Sequence, residues 1–593
     1  MNAGNRQEPP SQPSPRKNAR LRVVVFTAGP LRPINRVFFE RLAGDPQIEL
    51  RALIIDEYRR PRKPLWKKIH RGLQREGLSW LIYRLAKSFR SLGRRISSRL
   101  FDLLHSRTQS DESYEAFARR IRIPIYRVDD IHRDSSLTLI GSLQPQLGVI
   151  LGGRILKDKV ITLPSMGTVN VHKRKVPDYR GGGPVGYWEI LDNQPCIGVT
   201  IHYATAKVDA GPILAETTIP IDECDTLESL QIKADIVGAN LYCEAIRSIA
   251  RGEARSKPQD TSRGKTYRAP SELQVHLLEK RLRRKMRRTM PLLRQRRLFF
   301  TQLRVFLQYV FVLPWLLILR RWFIHRGRAP IWMLYYHVVA NRPANHMCLP
   351  LETFVRQIEM IQRYCKVLSI EEAVEKLRSG QNSEVATVLT FDDGYHDNFW
   401  AIEYLRYFSI PACFFLAIGH VQDGTPFAHD LEGGYKSAYP LSESEVRELA
   451  AHGFSIGSHG MYHEDFGQIA PDAADRTLQE SMQKIQAICG RAPEHFSFPI
   501  GHKVNISRDS FLTAQKHYRY VYSAYGGYNF PERDRRHFLR FPNPNDTLEL
   551  MSIMDGYTVM RNILRGDAWG KRSFAYPPYL EVASSLSRDP HRE

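Results

Sequence analysis

The apolar positions of the chain fall into short β-branched runs separated by stretches of helical period. From Leu21 the run LRVVVFTAG has the density of a buried strand and ends at Gly29. Phe38, Phe39 and Leu42 recur at helical spacing, and a second apolar run, ELRALIID, follows them. Strand, helix and strand in this order predict a parallel, doubly wound sheet, which resumes at IPIYRVDDI and LGVILGGRIL. No GxGxxG is present, so no dinucleotide is expected. Residues 57–107 interrupt the pattern with Arg and Lys interleaved with Trp66, Trp80, Leu81, Tyr83, Leu85 and Phe89. That segment reads as an inserted basic helical hairpin, either simply solvated or facing a membrane or polyanion.

The pattern restarts at Ile331 with IWMLYYHVV and continues through VATVLTFDDG, IPACFFLAIG, FSIGSHG and HFSFPIG, separated by helical stretches such as SESEVRELAAHG. Serial strand-helix units predict a barrel-like α/β domain with its chemistry at strand carboxyl ends. Between the two halves lies a sharp shift of composition: KRLRRKMRRTMPLLRQRR, then an apolar run from Val305 to Leu319 that contains Pro314 and is bounded by Arg304, Arg320 and Arg321. A membrane span needs ~20 apolar residues, so this run reads as an in-plane or re-entrant anchor, the other reading being a buried inter-domain helix. The expected organisation is a disordered tail over 1–20, one domain over 21–275 with the insertion at 57–107, a membrane-associating linker over 276–328, a second domain over 329–575 and a tail over 576–593.

Composition changes this picture in one respect. A hydrophobic share of 42% and a charged share of 25% are ordinary for folded protein, but the formal net charge is +24, which calls for an anionic neighbour. Seven scattered cysteines without a CxxC pair argue against a disulfide framework and a cysteine zinc site, and for a reducing compartment. The polar, Pro-rich first twenty residues lack the apolar core of a secretory signal. A cytoplasmic protein associated peripherally with an inner membrane is expected.

In the second half, Asp392 and Asp393 directly follow a strand, and His459 and His463 follow another. One carboxylate and two imidazoles make a three-ligand site with an open position for water, and the second carboxylate is left as a base. TFDDGY (Thr390–Tyr395), SHGMYH (Ser458–His463) and SFPIG (Ser497–Gly501) resemble the first three motifs of the polysaccharide deacetylase, or NodB-homology, family. Tyr335–His337 and the FxxQ of Phe354–Gln357 also sit where that family has similar text, and the resemblance runs from about 330 to 570. It implies an irregular (β/α)7 barrel, with Zn2+ or another divalent metal on Asp393, His459 and His463, and Asp392 as catalytic base. Ser497 and Ile500 flank Phe498 and Pro499 where many members have Arg and Tyr; Pro499 is retained as a substrate-binding position, with the Ile500 N–H as an oxyanion donor. A late LxxH is absent, which leaves the general acid unassigned, with His537 as a substitute and Arg540 as a residue positioning base or substrate.

In the first half, Asn170 and His172 lie two apart in an extended run, so both side chains project from one face, and Asp209 follows from a later segment. An amide donor, an imidazole and an orienting carboxylate suit acyl transfer to an amine. With PDYRG and VDAGPIL, the stretch 21–270 resembles the 10-formyltetrahydrofolate-dependent formyltransferases. The resemblance implies catalysis by Asn170, His172 and Asp209, substrate contacts from Arg180 and Gly181, and a folate near Gly152, Gly153, Arg154 and Ile155. Lys173–Pro177 (KRKVP) stands where the transfer-RNA enzymes usually have Ser-Leu-Leu-Pro after the histidine, which favours a nucleotide- or lipid-linked amino sugar as acceptor and no specific nucleic acid. The expected protein is a bifunctional enzyme of amino-sugar glycan or glycolipid modification, bound to an anionic membrane surface. The alternatives are a methionyl-tRNA-type formyltransferase fused to a deacetylase, and a polyanion-binding protein with degenerate sites.

Overall fold

A computed structural model describes residues 20–59, 64–104, 112–290, 299–435, 438–558 and 560. Apart from Arg20, both expected tails lie outside the described residues, as do 105–107 of the insertion, 291–298 of the linker and 561–575 of the second domain. The rest divides into two compact units, within Met1–Gly93 and Asp111–Leu282, and within Arg94–Ser110 and Arg283–Glu593.

The first unit is built on β1 (Leu21–Thr27), β2 (Ile48–Asp56), β3 (Ile125–Val128), β4 (Leu147–Leu151), β5 (Thr168–His172), β6 (Tyr179–Gly181), β7 (Cys196–Tyr203), β8 (Ile213–Pro220) and β9 (Lys265–Tyr267). Seven of these make a sheet in the order β3-β2-β1-β4-β5-β7-β8, parallel from β3 to β5 and antiparallel through β7 and β8; β6 pairs with β9 apart from it. This is the expected doubly wound sheet with an antiparallel edge. Along β1, Val23 and Val25 enter one buried cluster while Val24 and Phe26 enter another. Both faces of the strand are therefore covered, which is why LRVVVFT is continuous rather than alternating. The insertion forms two helices, Leu65–Glu76 and Leu78–Leu104, joined at Gly77.

The second unit carries β10 (Ile331–Tyr336), β11 (Lys366–Val367), β12 (Ala386–Phe391), β13 (Cys413–Leu416), β14 (Ser455–Ser458), β15 (His495–Ser497), β16 (Tyr520–Ser523), β17 (His537–Leu539) and β18 (Phe541–Pro542). They pair in the order β17-β16-β15-β14-β13-β12-β10-β18, parallel throughout, with β11 on β12. The two edge strands are separated in the chain by Arg540 alone. Taken as one interrupted strand, they close a nearly complete barrel of the expected seven staves. Alternate residues of β10 (Ile331, Met333), β12 (Ala386, Val388), β13 (Cys413, Phe415) and β16 (Tyr520, Tyr522) share one buried cluster that fills the interior. SESEVRELAAHG forms the helix Glu443–Ala451, started by a capping box between Ser442 and Glu445.

The helix that carries the apolar run is longer than the run itself, extending from Phe299 to His325, through Arg304, Pro314, Arg320 and Arg321. Arg is a strong helix former, so charge ended the apolar run without ending the helix. Leu303–His325 is long and apolar enough to cross a membrane, by length and composition.

Candidate active sites

In the barrel, the candidate side chains other than His537 sit at or beyond the carboxyl ends of strands. Asp392 and Asp393 follow β12, His459 follows β14, Ser497 ends β15 and Arg540 follows β17. Asp393 Oδ1 lies 3.4 Å from His459 Nε2 and 3.5 Å from His463 Nε2, and the ligand atoms of the three residues all fall within 4.8 Å of one another. His459 donates its Nδ1–H to the Ser497 carbonyl at 2.7 Å, which fixes the tautomer and leaves Nε2 as the acceptor facing Asp393. Burial holds His459 at about 4 and His463 well below the usual histidine range, so both rings are neutral, the form that binds a metal. Both Asp393 oxygens are buried without a hydrogen-bond partner. Burial, with Asp392 and Asp430 nearby, pushes its carboxyl well above the ordinary range. A buried carboxylate with no donor beside two neutral imidazoles fits a divalent cation.

Asp392 is held differently. Arg540 grips it with both forks, Nη1 to Oδ1 at 2.7 Å and Nη2 to Oδ2 at 2.8 Å, while also donating to Thr390 Oγ1 and Ser497 Oγ. Burial alone would raise the Asp392 carboxyl, but the guanidinium, helped by His459, outweighs it and keeps the group below its usual value. Adjacent carboxylates are thus driven apart, one toward protonation unless a cation is present and the other toward ionisation. Pro499 is buried behind Ile500, which is 43% exposed and has φ +61°.

Four of the nine non-glycine residues at positive φ among the described residues are Asp209, Asp393, His463 and Ile500. Backbone held in this costly region at site residues marks both centres independently of the motifs.

His537 is not part of the metal cluster. It is buried on β17 between Phe511 and Tyr525, with Nε2 on Ser523 Oγ at 2.8 Å. A further histidine within electrostatic reach of Asp392 and His459 is His337, directly after β10. Its ring is pushed down to about 4 by burial, against the opposing charge of Asp392. A second layer also went unread in the sequence: Tyr395 donates to Asp430 Oδ2 at 2.7 Å and lies 3.1 Å from His429 Nε2, and the His429 ring is 5.3 Å from that of His463. The YYH text pointed to His337. Nothing local pointed to His429 or Asp430.

In the doubly wound unit, β5 presents Asn170 and His172 as their spacing requires, and the loop after β7 brings Asp209 to them. His172 Nδ1 lies 3.5 Å from Asp209 Oδ2, and His172 Nε2–H donates to the Tyr179 carbonyl at 2.9 Å. Burial holds His172 below its ordinary value against the pull of Asp209. Asp209 is itself kept below the usual carboxylate range: burial would raise it, but His202, His172 and the Gly181 N–H, at 2.9 Å, prevail. His202, opposite Asn170 on β7, completes the cluster, with Nε2 3.3 Å from Asn170 Nδ2 and 3.6 Å from Asp209 Oδ1.

A cleft of about 450 Å³ is lined by Gly152, His172, Lys173, Arg174 and Gly181, together with Arg32 and Asn35, which the sequence reading passed over. Other named residues point elsewhere. Arg180 donates to the Thr261 carbonyl, Arg154 is held by Asp56 and Asp130 against the Tyr58 ring, and Ile155 is 71% exposed. Gly153 adopts φ +110°, in the turn that carries Arg154. Lys173 pairs with Asp235 and Arg174 is buried on the Pro184 carbonyl, so these two residues of KRKVP are packed, while Lys175 is exposed.

A Polysaccharide deacetylase family model matches residues 379–522, and a Formyl transferase model matches residues 118–246. The chain joins a formyl transferase domain to a polysaccharide deacetylase domain. Both are enzyme domains. The formyl transferase domain is 36% identical over 144 residues to a methionyl-tRNA formyltransferase of Halalkalibacterium halodurans, covering 24% of this chain and 45% of that protein. The chain thus spans less than half the length of that relative. Among solved structures, the Streptococcus pyogenes deacetylase PplD in complex with acetate aligns over 38% of this chain and 99% of its own, with 19% identity and a TM-score of 0.33. The N-formyltransferase of Helicobacter canadensis, in complex with folinic acid and dTDP-3-aminofucose, aligns over 41% of this chain and 70% of its own, with 16% identity and a TM-score of 0.27. The deacetylase domain fits a divalent metal, and the formyl transferase domain implies a folate-type donor.

Proposed function

We propose that the chain is a bifunctional enzyme of amino-sugar modification, which formylates a sugar amine from 10-formyltetrahydrofolate and hydrolyses the N-acyl bond of an amino sugar. The observation that carries the reading is the opposed pair Asp392 and Asp393. One carboxylate is clamped by Arg540 in the ionised state; the other is orphaned beside two neutral imidazoles.

In the deacetylase domain, Asp393, His459 and His463 would hold the cation, with Zn2+ suited to one oxygen and two nitrogen ligands. When bound, the metal supplies a Lewis acid for the acyl carbonyl and lowers the pKa of the attacking water. Asp392 accepts the proton of that water, its ionised form maintained by Arg540. His337, directly after β10 and in the field of Asp392, would take up a proton as the water releases one and pass it to the departing amine. The Ile500 N–H would serve as the oxyanion donor. The products are the free amine and a short carboxylic acid.

In the formyl transferase domain, Asn170 donates to the formyl oxygen, and the substrate amine attacks the formyl carbon. His172, neutral at physiological pH, takes the proton that the amine loses, and Asp209 stabilises the imidazolium so formed. The bond from the formyl carbon to the folate nitrogen then breaks, and that nitrogen is protonated as it leaves.

An amino-sugar acceptor is favoured because a carbohydrate-type deacylase shares the chain and because KRKVP departs from the transfer-RNA enzymes. The second reading, formylation of methionyl-tRNA, is favoured by the 36% identity to such an enzyme. Incubation of purified protein with labelled 10-formyltetrahydrofolate, a panel of nucleotide- and lipid-linked amino sugars, and methionyl-tRNA separates them. Label on a sugar amine supports the first reading, and label on transfer RNA alone replaces it with the second. N-acetyl and N-formyl sugars in the same panel, followed by mass, identify the acyl group hydrolysed.

A further inference from the structure

The helix Phe299–His325 carries two apolar stripes with different surroundings. Val305, Tyr309, Leu313 and Leu316, spaced four, four and three apart, form one face and are buried against Tyr557, Leu548, Met551 and Met560. At the centre of this face, Tyr309 donates to the buried carboxylate of Asp555. Arg320 donates to the same group at 3.2 Å. The opposite stripe, Leu307, Phe311, Trp315, Ile318 and Trp322, again at four, four, three and four, is between 48% and 81% exposed. Only 22% of the most apolar 18 residues within Leu303–His325 is buried.

Neither simple environment suits both stripes. A membrane-crossing helix has lipid around it, yet here one face is docked on the barrel domain through a buried charged cluster. Crossing would strip Arg320 from Asp555 and carry it into the hydrocarbon. A fully aqueous helix would leave a continuous band of Trp, Phe, Leu and Ile in water, larger than monomeric proteins ordinarily tolerate.

A helix lying at the boundary of headgroups and acyl chains satisfies both faces. Tryptophan, with an apolar body and a polar N–H, favours that depth. Exposed Arg304, Arg321, Arg326 and Arg328 flank the band, and a cleft of about 610 Å³ at the end of the helix is lined by Arg320, Arg321 and Lys366 beside Leu317 and Ile324. Cations at this level attract anionic headgroups.

We propose that Phe299–His325 is a monotopic anchor lying in the plane of an anionic bilayer, docked on the deacetylase domain by its Tyr309 face. The chain then does not cross the membrane at this helix, and the segments on either side of it stay in one compartment. The inference rests on packing and polarity, independently of the chemistry proposed above.

Full-length protein is tested by flotation with vesicles of phosphatidylcholine alone and of phosphatidylcholine with phosphatidylglycerol. The expected result is flotation with the anionic vesicles, at least tenfold above the neutral ones and weakened by salt. Flotation should be lost in Phe311→Glu with Trp315→Glu and reduced in Arg321→Glu, each checked by an unchanged circular dichroism spectrum. Brominated lipids should quench tryptophan fluorescence in wild type, and less in Trp315→Phe. In membranes from expressing cells, alkaline carbonate should release the protein, and tags at the two chain ends should be cut by protease from the same side. Tags on opposite sides with resistance to carbonate would overturn the proposal in favour of a span. Absence of binding to every vesicle, with a dimer that Trp315→Glu converts to monomer, would overturn it in favour of a second copy on this face.

Discussion

The two active sites are assembled in contrasting ways. In the formyl transferase domain, Asn170 and His172 share one strand, His202 comes from the antiparallel neighbour directly opposite Asn170, and Asp209 follows seven residues after His202. Strand pairing alone brings most of that cluster together. In the deacetylase domain, Asp392 and the guanidinium that ionises it are 148 residues apart, and the metal-type cluster needs the ends of β12 and β14 together. The Arg540 clamp, which reaches Asp392 after β12 and Ser497 at the end of β15 from the break between the two edge strands, needs the barrel to close. The first should tolerate loss of a peripheral member such as His202, while the second should respond to loss of Arg540 as a unit.

The largest expected contrast is catalytic. Asp392→Asn removes the base and should lower deacylation by roughly 10²–10⁴-fold while leaving formyl transfer within twofold, read on the two reactions in parallel. Chelation of divalent metal should do the same and be reversed by Zn2+. His172→Ala is the mirror experiment, with a loss of roughly 10²–10⁴-fold in formyl transfer and none in deacylation.

Next in size is stability. Arg540→Met leaves the Asp392 carboxylate buried and unpaired, with Thr390 and Ser497 deprived of a donor, and should destabilise the deacetylase domain by about 3–5 kcal/mol, measured by urea denaturation. A pH experiment sharpens the other side of the comparison. Because burial lowers His172, formyl transfer should persist below the ordinary histidine range and fall as pH drops through the depressed value. Asp209 opposes that shift, so Asp209→Asn should move the acid limb further down while slowing the reaction. The smallest effect belongs to His202→Ala, which removes one contact each to Asn170 and Asp209 and should cost about 1 kcal/mol, or roughly fivefold in rate.

Much of this was legible along the chain. The runs LRVVVFT and VATVLTF announced themselves by β-branched density, and Asp392, Asp393, His459 and His463 stood out because strand ends in parallel sheets carry chemistry. Asn170 and His172 were readable from a period of two. His429, Asp430 and His202 were not, since each is an ordinary residue until a neighbouring element turns it toward the site. Arg540 was legible as a candidate but not as the partner of both Asp392 oxygens, because a bidentate contact is a statement about two distant segments. Arg154 and Arg180, placed by motif position near folate and substrate respectively, also have local partners that no motif announced, Asp56 with Asp130 and the Thr261 carbonyl.

By itself the sequence determined the order of elements, the two-domain plan and the residue types at both centres, because hydrophobic period and chemical identity are local properties. The tertiary structure decided which carboxylate is ionised, which histidines join the Asp393 cluster and which face of Phe299–His325 is docked. Those outcomes depend on desolvation and on charges arriving from elsewhere in the chain, and neither exists until the fold has closed.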